Sequence, residues 1–477
     1  MGHVLDSVQR FLHPHSPPST PGETSPATKP LTVAAEKRPE TPAAEDDPDH
    51  LVFIALSDFS ARTKGRSVRA GDFNDDTTIG WIPAILGIAA DGHCLDTIPY
   101  GAIGDLRVQP DLSARYRFNP IGSRPGLDIV FGNVVNTDGT PWESCTRTFL
   151  ADAVKTLHDE FGIKAIAAFE HEFIELGIPK PAFPQTLEAF RNAEPIGTEL
   201  VKLLSDAGFR PENWLPEYGP SQYEITVAPV DPVAAGDRAL LVRDIVRDVY
   251  EAHGRKITFA PILAPEETGS GAHVHFGFSD LQGNNVLYDA SRPGRLSALG
   301  GSFAAGIIRH APALAAFFTP LVSSYFRLKP KHWSSARAFL GAQNREALLR
   351  IPPTNELGGR DPSKQVHLEF RGGDAGANPW LLLGVLFRAG IEGIRDNLPA
   401  PEVINSEQET LSEEEAAGTQ LPTSLADALD KLEADKVVSG WFHPKFLESY
   451  IKVKRYEIEK IGALSDEEQC KFYTNVY

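Results

Sequence analysis

Residues 167–176 read AAFEHEFIEL and residues 269–278 read GSGAHVHFGF. Each apolar run carries two polar side chains two positions apart, Glu170 with Glu172 in the first and His273 with His275 in the second. Because residues i and i+2 of a strand point to the same face, each pair is predicted to share one face of a sheet. Neighbouring buried carboxylates repel each other and lose hydration unless a cation neutralises them. The pattern predicts buried, metal-binding strands, against the alternative of solvated acids on an edge strand.

Two further segments add acids in the same kind of context. EYGPSQYEITVAP supplies Glu217 and Glu224, and HLEFRGGDAGANPW supplies Glu369 and Arg371, again two residues apart. A set of five carboxylates and one histidine suits Mg²⁺ or Mn²⁺ far better than a soft, thiolate-preferring ion. Two such ions would use the whole set. A single histidine in a strand is more often an ordinary core residue, whereas for the pair His273 and His275 on one face, metal ligation and a core position are equally good interpretations.

An arginine-rich segment lies between these strands. SYFRLKPKHWSSARAFLGAQNREALLRIP contains Arg327, Arg337, Arg345 and Arg350 in a chain that is otherwise acidic. Guanidinium groups near two metals can bind carboxylates and neutralise a phosphoryl group during transfer. The alternative for any one of them is a surface salt bridge.

Composition narrows the classes of function. The chain has 477 residues, too many for one hydrophobic core, so at least two packed units are expected. It carries 46 Lys and Arg against 64 Asp and Glu, a formal charge of −18, which disfavours nucleic acid and anionic membrane partners. It contains no long apolar run, so a cytoplasmic location is expected.

The order of patterns along the chain predicts an α+β protein in three parts. Residues 1–50 are rich in Pro, Ser, Thr and acid and are predicted to be a disordered tail. Residues 51–140 show short strands with turn signals and are predicted to be a small β-rich domain. Residues 141–477 alternate helix and strand patterns. They begin with an amphipathic helix, TRTFLADAVKTLHDEFG, which is predicted to end at Gly162.

Taken together, these motifs resemble the glutamine synthetase family from about residue 51 to residue 462. The resemblance rests on FEHEF, on two Glu seven positions apart, on GSGxHxH, on NRxxxxRIP and on ExR before ANPxL. GDLRVQPD also resembles the family's N-terminal β-grasp signature. The resemblance implies a β-grasp N-terminal domain and a larger catalytic domain built from an antiparallel sheet and helices. It also implies a large homo-oligomer of stacked rings, with active sites between neighbouring subunits.

The resemblance implies roles for particular residues. One metal ion would be bound by Glu172, Glu217 and Glu224, and the other by Glu170, His273 and Glu369. The remaining matches are Gly269, Arg327 and Arg371 for glutamate, His275 near the nucleotide phosphates, and Arg345 and Arg350 for the ATP phosphates and the transferred phosphoryl group, with Arg345 assisting catalysis. The implied reaction is ATP-dependent amide ligation through γ-glutamyl phosphate, with two Mg²⁺ or Mn²⁺ ions in each site.

The departures from the family pattern concern the acceptor and the substrate contacts. Ammonia-using members have a Glu six residues after the glutamate-binding Arg, where this chain has Trp333; Thr268 and His367 are further departures. A Trp face can contact the apolar or cationic body of a larger amine. The changes resemble the branch of γ-glutamyl-amine and γ-glutamylpolyamine synthetases, which join glutamate to an amine. The alternatives are a true glutamine synthetase that uses ammonia and a non-catalytic scaffold or regulatory protein.

The alignment of Trp333 gives a first prediction. Trp333→Glu should increase the use of ammonia relative to larger amines, because it restores an anion that attracts ammonium. Phosphate release measured with ammonia and with a panel of amines, before and after the substitution, tests this. An unchanged preference would mean that Trp333 has only a structural role.

Overall fold

A computed structural model describes residues 47–329 and 334–477. The predicted N-terminal tail lies outside this part of the chain except for its last four residues, and Trp333 lies outside it as well. No helix within the described ranges is long and apolar enough to cross a lipid bilayer.

The strands and helices follow one another in a mixed order. The strands are β1 (Leu51–Ser57), β2 (Thr63–Arg69), β3 (Ile79–Trp81), β4 (Leu106–Phe118), β5 (Leu127–Asn136), β6 (Lys164–Leu176), β7 (Pro211–Pro216), β8 (Gln222–Val227), β9 (Lys256–Thr258), β10 (Ala272–Ser279), β11 (Leu340–Ala342), β12 (Leu349–Ile351) and β13 (Leu368–Phe370). The helices are α1 (Thr146–Phe161), α2 (Leu187–Asn192), α3 (Ile196–Asp206), α4 (Pro232–Ala252), α5 (Ala298–Phe318), α6 (Ser324–Arg327), α7 (Pro379–Arg395), α8 (Glu413–Ala416), α9 (Leu425–Ala434), α10 (Lys436–Ser439), α11 (Pro444–Lys460) and α12 (Asp466–Val476).

The first sheet contains five strands in the order β2-β1-β5-β4-β3. Strands β1 and β5 run parallel, and the other pairs are antiparallel. Val52 and Ile54 of β1 alternate along the strand and are fully buried, as expected for a strand with one face on a core. The β-rich N-terminal region predicted from the sequence is therefore present.

The second sheet is the larger of the two and has eight strands. Its order is β11-β12-β13-β10-β6-β8-β7, with β9 also paired to β6. All of these pairs are antiparallel except β11 with β12. The long helices α1, α4, α5 and α7 pack together beside it, with α4 against β6. The α+β fold class is confirmed, with a largely antiparallel second sheet.

Helix α1 follows the sequence pattern closely. Ala153 and Leu157, four residues apart, are fully buried. The helix ends before Gly162, which adopts a left-handed conformation at φ 65° and donates its N–H to the carbonyls of the last turn. Glycine accepts this conformation without the steric cost of a Cβ, so the predicted end of the helix is confirmed.

A buried ionic cluster joins the first sheet to three of the helices that pack beside the second. Arg147 of α1 donates to both carboxylate oxygens of Asp237 on α4, each at 2.9 Å. It also reaches the first sheet, at Asp111 Oδ2 (2.9 Å) on β4 and Asn133 Oδ1 (3.1 Å) on β5. The indole of Trp380 on α7 completes the cluster with a 3.0 Å hydrogen bond to Asp237. Every oxygen of the fully buried Asp237 carboxylate is therefore occupied.

Asp237→Ala should strongly destabilise the fold. It leaves the buried guanidinium of Arg147 without its main counterion, a loss that costs about 3–5 kcal/mol of unfolding free energy. Urea denaturation followed by fluorescence measures this. The control is Asp248→Ala, which removes a half-exposed partner of Arg124 and should cost less than about 1 kcal/mol. Equal losses in both variants would contradict this account of the cluster.

Candidate active site

The register of β6 with its two neighbours brings three acids and a histidine together. Glu170 lies opposite His273 on β10, and Glu172 lies opposite Glu224 on β8. Since the two β6 acids share a face, their cross-strand partners point to that same face. His273 Nδ1 is 3.4 Å from Glu170 Oε2, and its Nε2 is 3.8 Å from Glu172 Oε1. The arrangement that the i, i+2 spacing predicts is present.

Glu369 extends the cluster on the other side of β10. It lies opposite His275 on β10 and opposite Arg350 on β12. Arg350 Nη1 donates to Glu369 Oε2 at 2.7 Å, and Arg371 Nη1 donates to the other oxygen. Burial alone would raise the pKa of Glu369, but the charges of Arg371 and Arg350 hold it well below its ordinary value. This carboxylate is therefore ionised without a metal.

Two groups of side chains in the described part of the chain have the geometry of a metal site. Ligand atoms within 4.8 Å of one another come from Glu170, His273 and Glu369 in one group, and from Glu172, Glu224 and His273 in the other. Carboxylate oxygens with one imidazole nitrogen form a donor set that fits Mg²⁺ or Mn²⁺. The first group coincides with one of the two expected ligand sets. The second contains His273 in place of Glu217.

Glu217 nevertheless lies close enough to interact with the same acids. It follows β7, and its carboxylate accepts the Tyr218 N–H at 3.1 Å. The pKa of Glu217 is raised to about 7, mainly by burial and, after that, by the negative charge of Glu172. Burial, followed by the charge of Glu170, also raises the pKa of Glu224 well above its ordinary value. Both acids therefore bind protons at a higher pH than an exposed glutamate does, unless a cation replaces the protons.

Arginine side chains from separate segments of the chain line the adjacent part of the site. Gly269 packs against Arg327 so closely that a Cβ at 269 would lie 2.4 Å from Arg327 Cγ. Arg327 Nη2 donates to the carbonyls of Gly372 and Gly373, and Arg371 Nε donates to the carbonyl of Arg345. Of the three residues expected to bind glutamate, Gly269 thus packs on Arg327, and Arg327 binds the backbone that directly follows Arg371.

The arginines of the segment 324–352 divide into two groups. Burial, together with the nearby positive charges of Arg350 and Arg371, lowers the pKa of Arg345. Like charges held this close in a buried site attract an anion, as the phosphate role implies. Arg337 lies elsewhere and donates to the carbonyl of Ala416 and the hydroxyl of Thr419, at 3.2 Å each.

His275 belongs to a chain of hydrogen bonds that includes one of the departures from the family pattern. Its Nε2 is 3.1 Å from Glu170 Oε1, and its Nδ1 is 3.0 Å from Nε2 of His367. Burial lowers the pKa of His367 to about 3, so its ring is neutral. Since His367 Nδ1 donates to the carbonyl of Gln365 at 2.7 Å, its Nε2 must accept the proton of His275.

Sequence reasoning missed Gln222. This buried residue of β8 lies two positions before Glu224, and its amide reaches Glu172 Oε2 at 3.3 Å. The spacing rule that identified the acid and histidine pairs applies equally to Gln222 and Glu224. An amide, however, carries no charge that burial would penalise, so its position in the sequence gives no signal of a site.

The structure is an α+β fold with two adjoining groups of side chains that could hold a cation, beside several buried arginines. The sequence model for the glutamine synthetase catalytic domain matches residues 143–473, and the one for the glutamine synthetase N-terminal domain matches residues 40–142. The chain belongs to the glutamine synthetase family, whose members are ATP-dependent ligases that form carbon–nitrogen bonds.

Known proteins of the family resemble most of the chain. Gamma-glutamylpolyamine synthetase GlnA3 of Streptomyces coelicolor is 30% identical over 403 residues, which cover 82% of this chain and 85% of the relative. Glutamine synthetase of Methanocaldococcus jannaschii is 28% identical over 401 residues, which cover 81% of this chain and 87% of the relative. A crystal structure of a novel glutamine synthase homolog superposes with a TM-score of 0.83 at 39% identity, covering 91% of this chain and all of that one.

Stabilisation by Mn²⁺ should increase with pH between about 5.5 and 8. The pKa values of Glu217 and Glu224 are raised in the folded protein. Between pH 4.5, the ordinary pKa of a glutamate, and about pH 7, the pKa of Glu217, the folded, metal-free protein therefore binds more protons than the unfolded chain does. Glu217 and Glu224 therefore destabilise the metal-free fold as pH rises, and Mn²⁺ displaces their protons.

Thermal unfolding in Mn²⁺ and in EDTA measures the gain. At a Mn²⁺ concentration about 100-fold above Kd, binding adds ~2.7 kcal/mol at the higher pH. Glu224→Gln, which cannot ionise, should show a smaller gain and a weaker dependence on pH. A gain that is equal at both pH values, or larger at pH 5.5, would contradict the prediction.

Proposed function

We propose that this protein is an ATP-dependent ligase that joins the γ-carboxylate of glutamate to an amine larger than ammonia, through γ-glutamyl phosphate. The proposal rests mainly on the two groups of side chains that could hold a metal ion, which share His273. Two arginines, Arg350 and Arg371, form ion pairs with Glu369 beside them. A reaction between a carboxylate and a nucleotide phosphate needs positions for several anions and neutralisation of their charge.

Two divalent ions would be held by Glu172, Glu217 and Glu224 and by Glu170, His273 and Glu369. Bound there, they would neutralise and align the ATP phosphates. The contact between Gly269 and Arg327 supports a glutamate site beside them. His275 and Arg350, which interact with Glu170 and Glu369, would lie next to the phosphates.

The proposed reaction has two steps. An oxygen of the glutamate γ-carboxylate attacks the γ-phosphorus of ATP, and the bond to the ADP oxygen breaks. Arg345 contributes positive charge to the phosphoryl group during this transfer. The neutral amine nitrogen then attacks the γ-carbonyl carbon, inorganic phosphate leaves, and the nitrogen loses a proton. Glutamate provides the acyl group and ATP the leaving group, so no further reactant is needed.

The choice of acceptor rests on the sequence and on the relatives. Trp333 occupies the position where ammonia-using members carry a Glu, so the anion that attracts ammonium is missing. The relative at 30% identity is named for polyamines, and the one at 28% for glutamine. The first favours a larger amine, and the second keeps ammonia as the alternative acceptor.

The proposal includes a ring-stacked homo-oligomer with sites between neighbouring subunits. The family resemblance supports it, because members place the small N-terminal domain of one chain against the catalytic domain of the next. Sedimentation or light scattering of the purified chain measures the assembly directly.

Phosphate release should depend on glutamate and on one class of amine. The purified protein would be assayed with Mg·ATP and glutamate against ammonia, short alkylamines, ethanolamine, polyamines and aromatic amines. We expect turnover with one amine class at least about tenfold faster than with ammonia, which corresponds to about 1.4 kcal/mol of discrimination. Faster turnover with ammonia would support a true glutamine synthetase, and none with any amine would support a non-catalytic protein.

Matched variants connect this turnover to the site. Glu170→Ala and Glu369→Ala should each reduce phosphate release by more than about 100-fold, because each removes a proposed ligand and leaves charge uncompensated. The control is Glu199→Ala, a half-exposed acid paired with His253 on the surface. It should leave the rate unchanged. Full activity in either of the first two variants would contradict the metal assignment.

A further inference from the structure

The amide of Gln222 contacts several parts of the site. Its side chain is buried, and its Nε2 lies 3.3 Å from Glu172 Oε2, 3.0 Å from the Gly269 carbonyl and 3.2 Å from the Ser270 hydroxyl. Its Oε1 accepts the N–H of Gly219 at 2.8 Å. One side chain therefore joins a carboxylate of the cluster to two loops.

The surroundings determine the orientation of this amide. A backbone N–H can only donate, so Gly219 requires the oxygen of the Gln222 amide on its side. The NH₂ group is then directed towards Glu172 and the Gly269 carbonyl, both of which only accept. A flipped amide would place its oxygen against two acceptors and its nitrogen against a donor, which is unfavourable at all three of these contacts; only the Ser270 hydroxyl, which can donate or accept, would tolerate the flip.

This orientation determines how Glu172 presents its two oxygens. Oε2 accepts from Gln222 and also from the Gly271 N–H, at 2.7 Å. Oε1 is directed instead towards His273 Nε2, 3.8 Å away, in the group that fits a cation. Hydrogen bonds that fix one oxygen of a ligating carboxylate leave the other aimed at the metal.

The same amide reaches the proposed glutamate side. The carbonyl that it binds belongs to Gly269, whose Cα packs against the side chain of Arg327. A shift of this turn would therefore move the surface on which Arg327 rests. Gln222 is thus in direct contact with one proposed metal ligand and with one proposed glutamate-binding residue.

We propose that Gln222 is a positioning residue that holds Glu172 and the Gly269 turn in one geometry, so that cation binding and glutamate binding depend on the same amide. The part that concerns glutamate rests on the function proposed above, and the part that concerns the cation does not. The competing explanation is a buried amide that contributes to stability alone.

Gln222→Met tests the proposal in the full chain, since methionine has nearly the same length and no hydrogen-bonding amide. Titration calorimetry with Mn²⁺ alone, without nucleotide, should give a Kd raised about 10-fold to 100-fold. In steady-state assays the KM for glutamate should rise more than kcat falls. Gln469→Met is the control, because Gln469 is an equally buried amide on α12 that bonds to the Leu464 carbonyl. This control variant should leave the Kd for Mn²⁺ and the KM for glutamate unchanged.

A second variant moves the amide without removing it. A Cβ at Gly219 would lie 2.5 Å from Gln222 Oε1, so Gly219→Ala should displace the side chain and weaken Mn²⁺ binding. If Gly219→Ala acts through Gln222, the double variant that combines Gly219→Ala with Gln222→Met should bind Mn²⁺ no more weakly than Gln222→Met alone does. Thermal unfolding in EDTA confirms that each variant is folded.

The outcomes separate the two proposals. An unchanged Mn²⁺ affinity in folded Gln222→Met, or fully additive effects in the double variant, would overturn the positioning role. Wild-type protein that binds Mn²⁺ but releases no phosphate with any amine would contradict the proposed ligase, and the Mn²⁺ titrations would still decide the role of Gln222. Wild-type protein that binds no Mn²⁺ would overturn both.

Discussion

The pairing of β6 with β8 on one side and with β10 on the other is the constraint on which the site depends. It sets Glu170 opposite His273 and Glu172 opposite Glu224. Because strand side chains alternate between faces, a slip of one residue would turn both β6 acids away from the cluster. They would then face the side of the sheet on which α4 packs, where apolar residues such as Phe169 and Phe173 are buried. The hydrophobic core and the site therefore select the same register.

The two ends of the site balance their charge in different ways. Near Glu369, guanidinium groups compensate the carboxylate and keep it ionised. Near Glu217 and Glu224, burial and neighbouring acids raise the pKa values, and no cationic side chain forms an ion pair with either acid in the described ranges. At the second end, charge that no cation balances is therefore relieved by bound protons.

The sequence was informative where a feature depends on local spacing. The i, i+2 pairs identified the faces of β6 and β10, and Gly162 identified the end of α1. Spacing could not show which strands are neighbours, because β6 and β10 are separated by about one hundred residues and their pairing depends on the whole sheet. It likewise could not separate Arg337 from the other arginines, or find the contact between His367 and His275. The family resemblance, rather than composition, supplied the reaction.

The cluster around Arg147 also limits how this protein can be recombined with its relatives. Its guanidinium belongs to α1, which follows the first sheet in the chain, yet it donates to Asp111 and Asn133 on two strands of that sheet. An N-terminal sheet transplanted from another family member would have to supply acceptors at those two positions. Otherwise the exchange would leave buried donors unsatisfied at the junction. Compatibility between the halves of a chimera is thus decided at a few polar atoms, even where the apolar surfaces match.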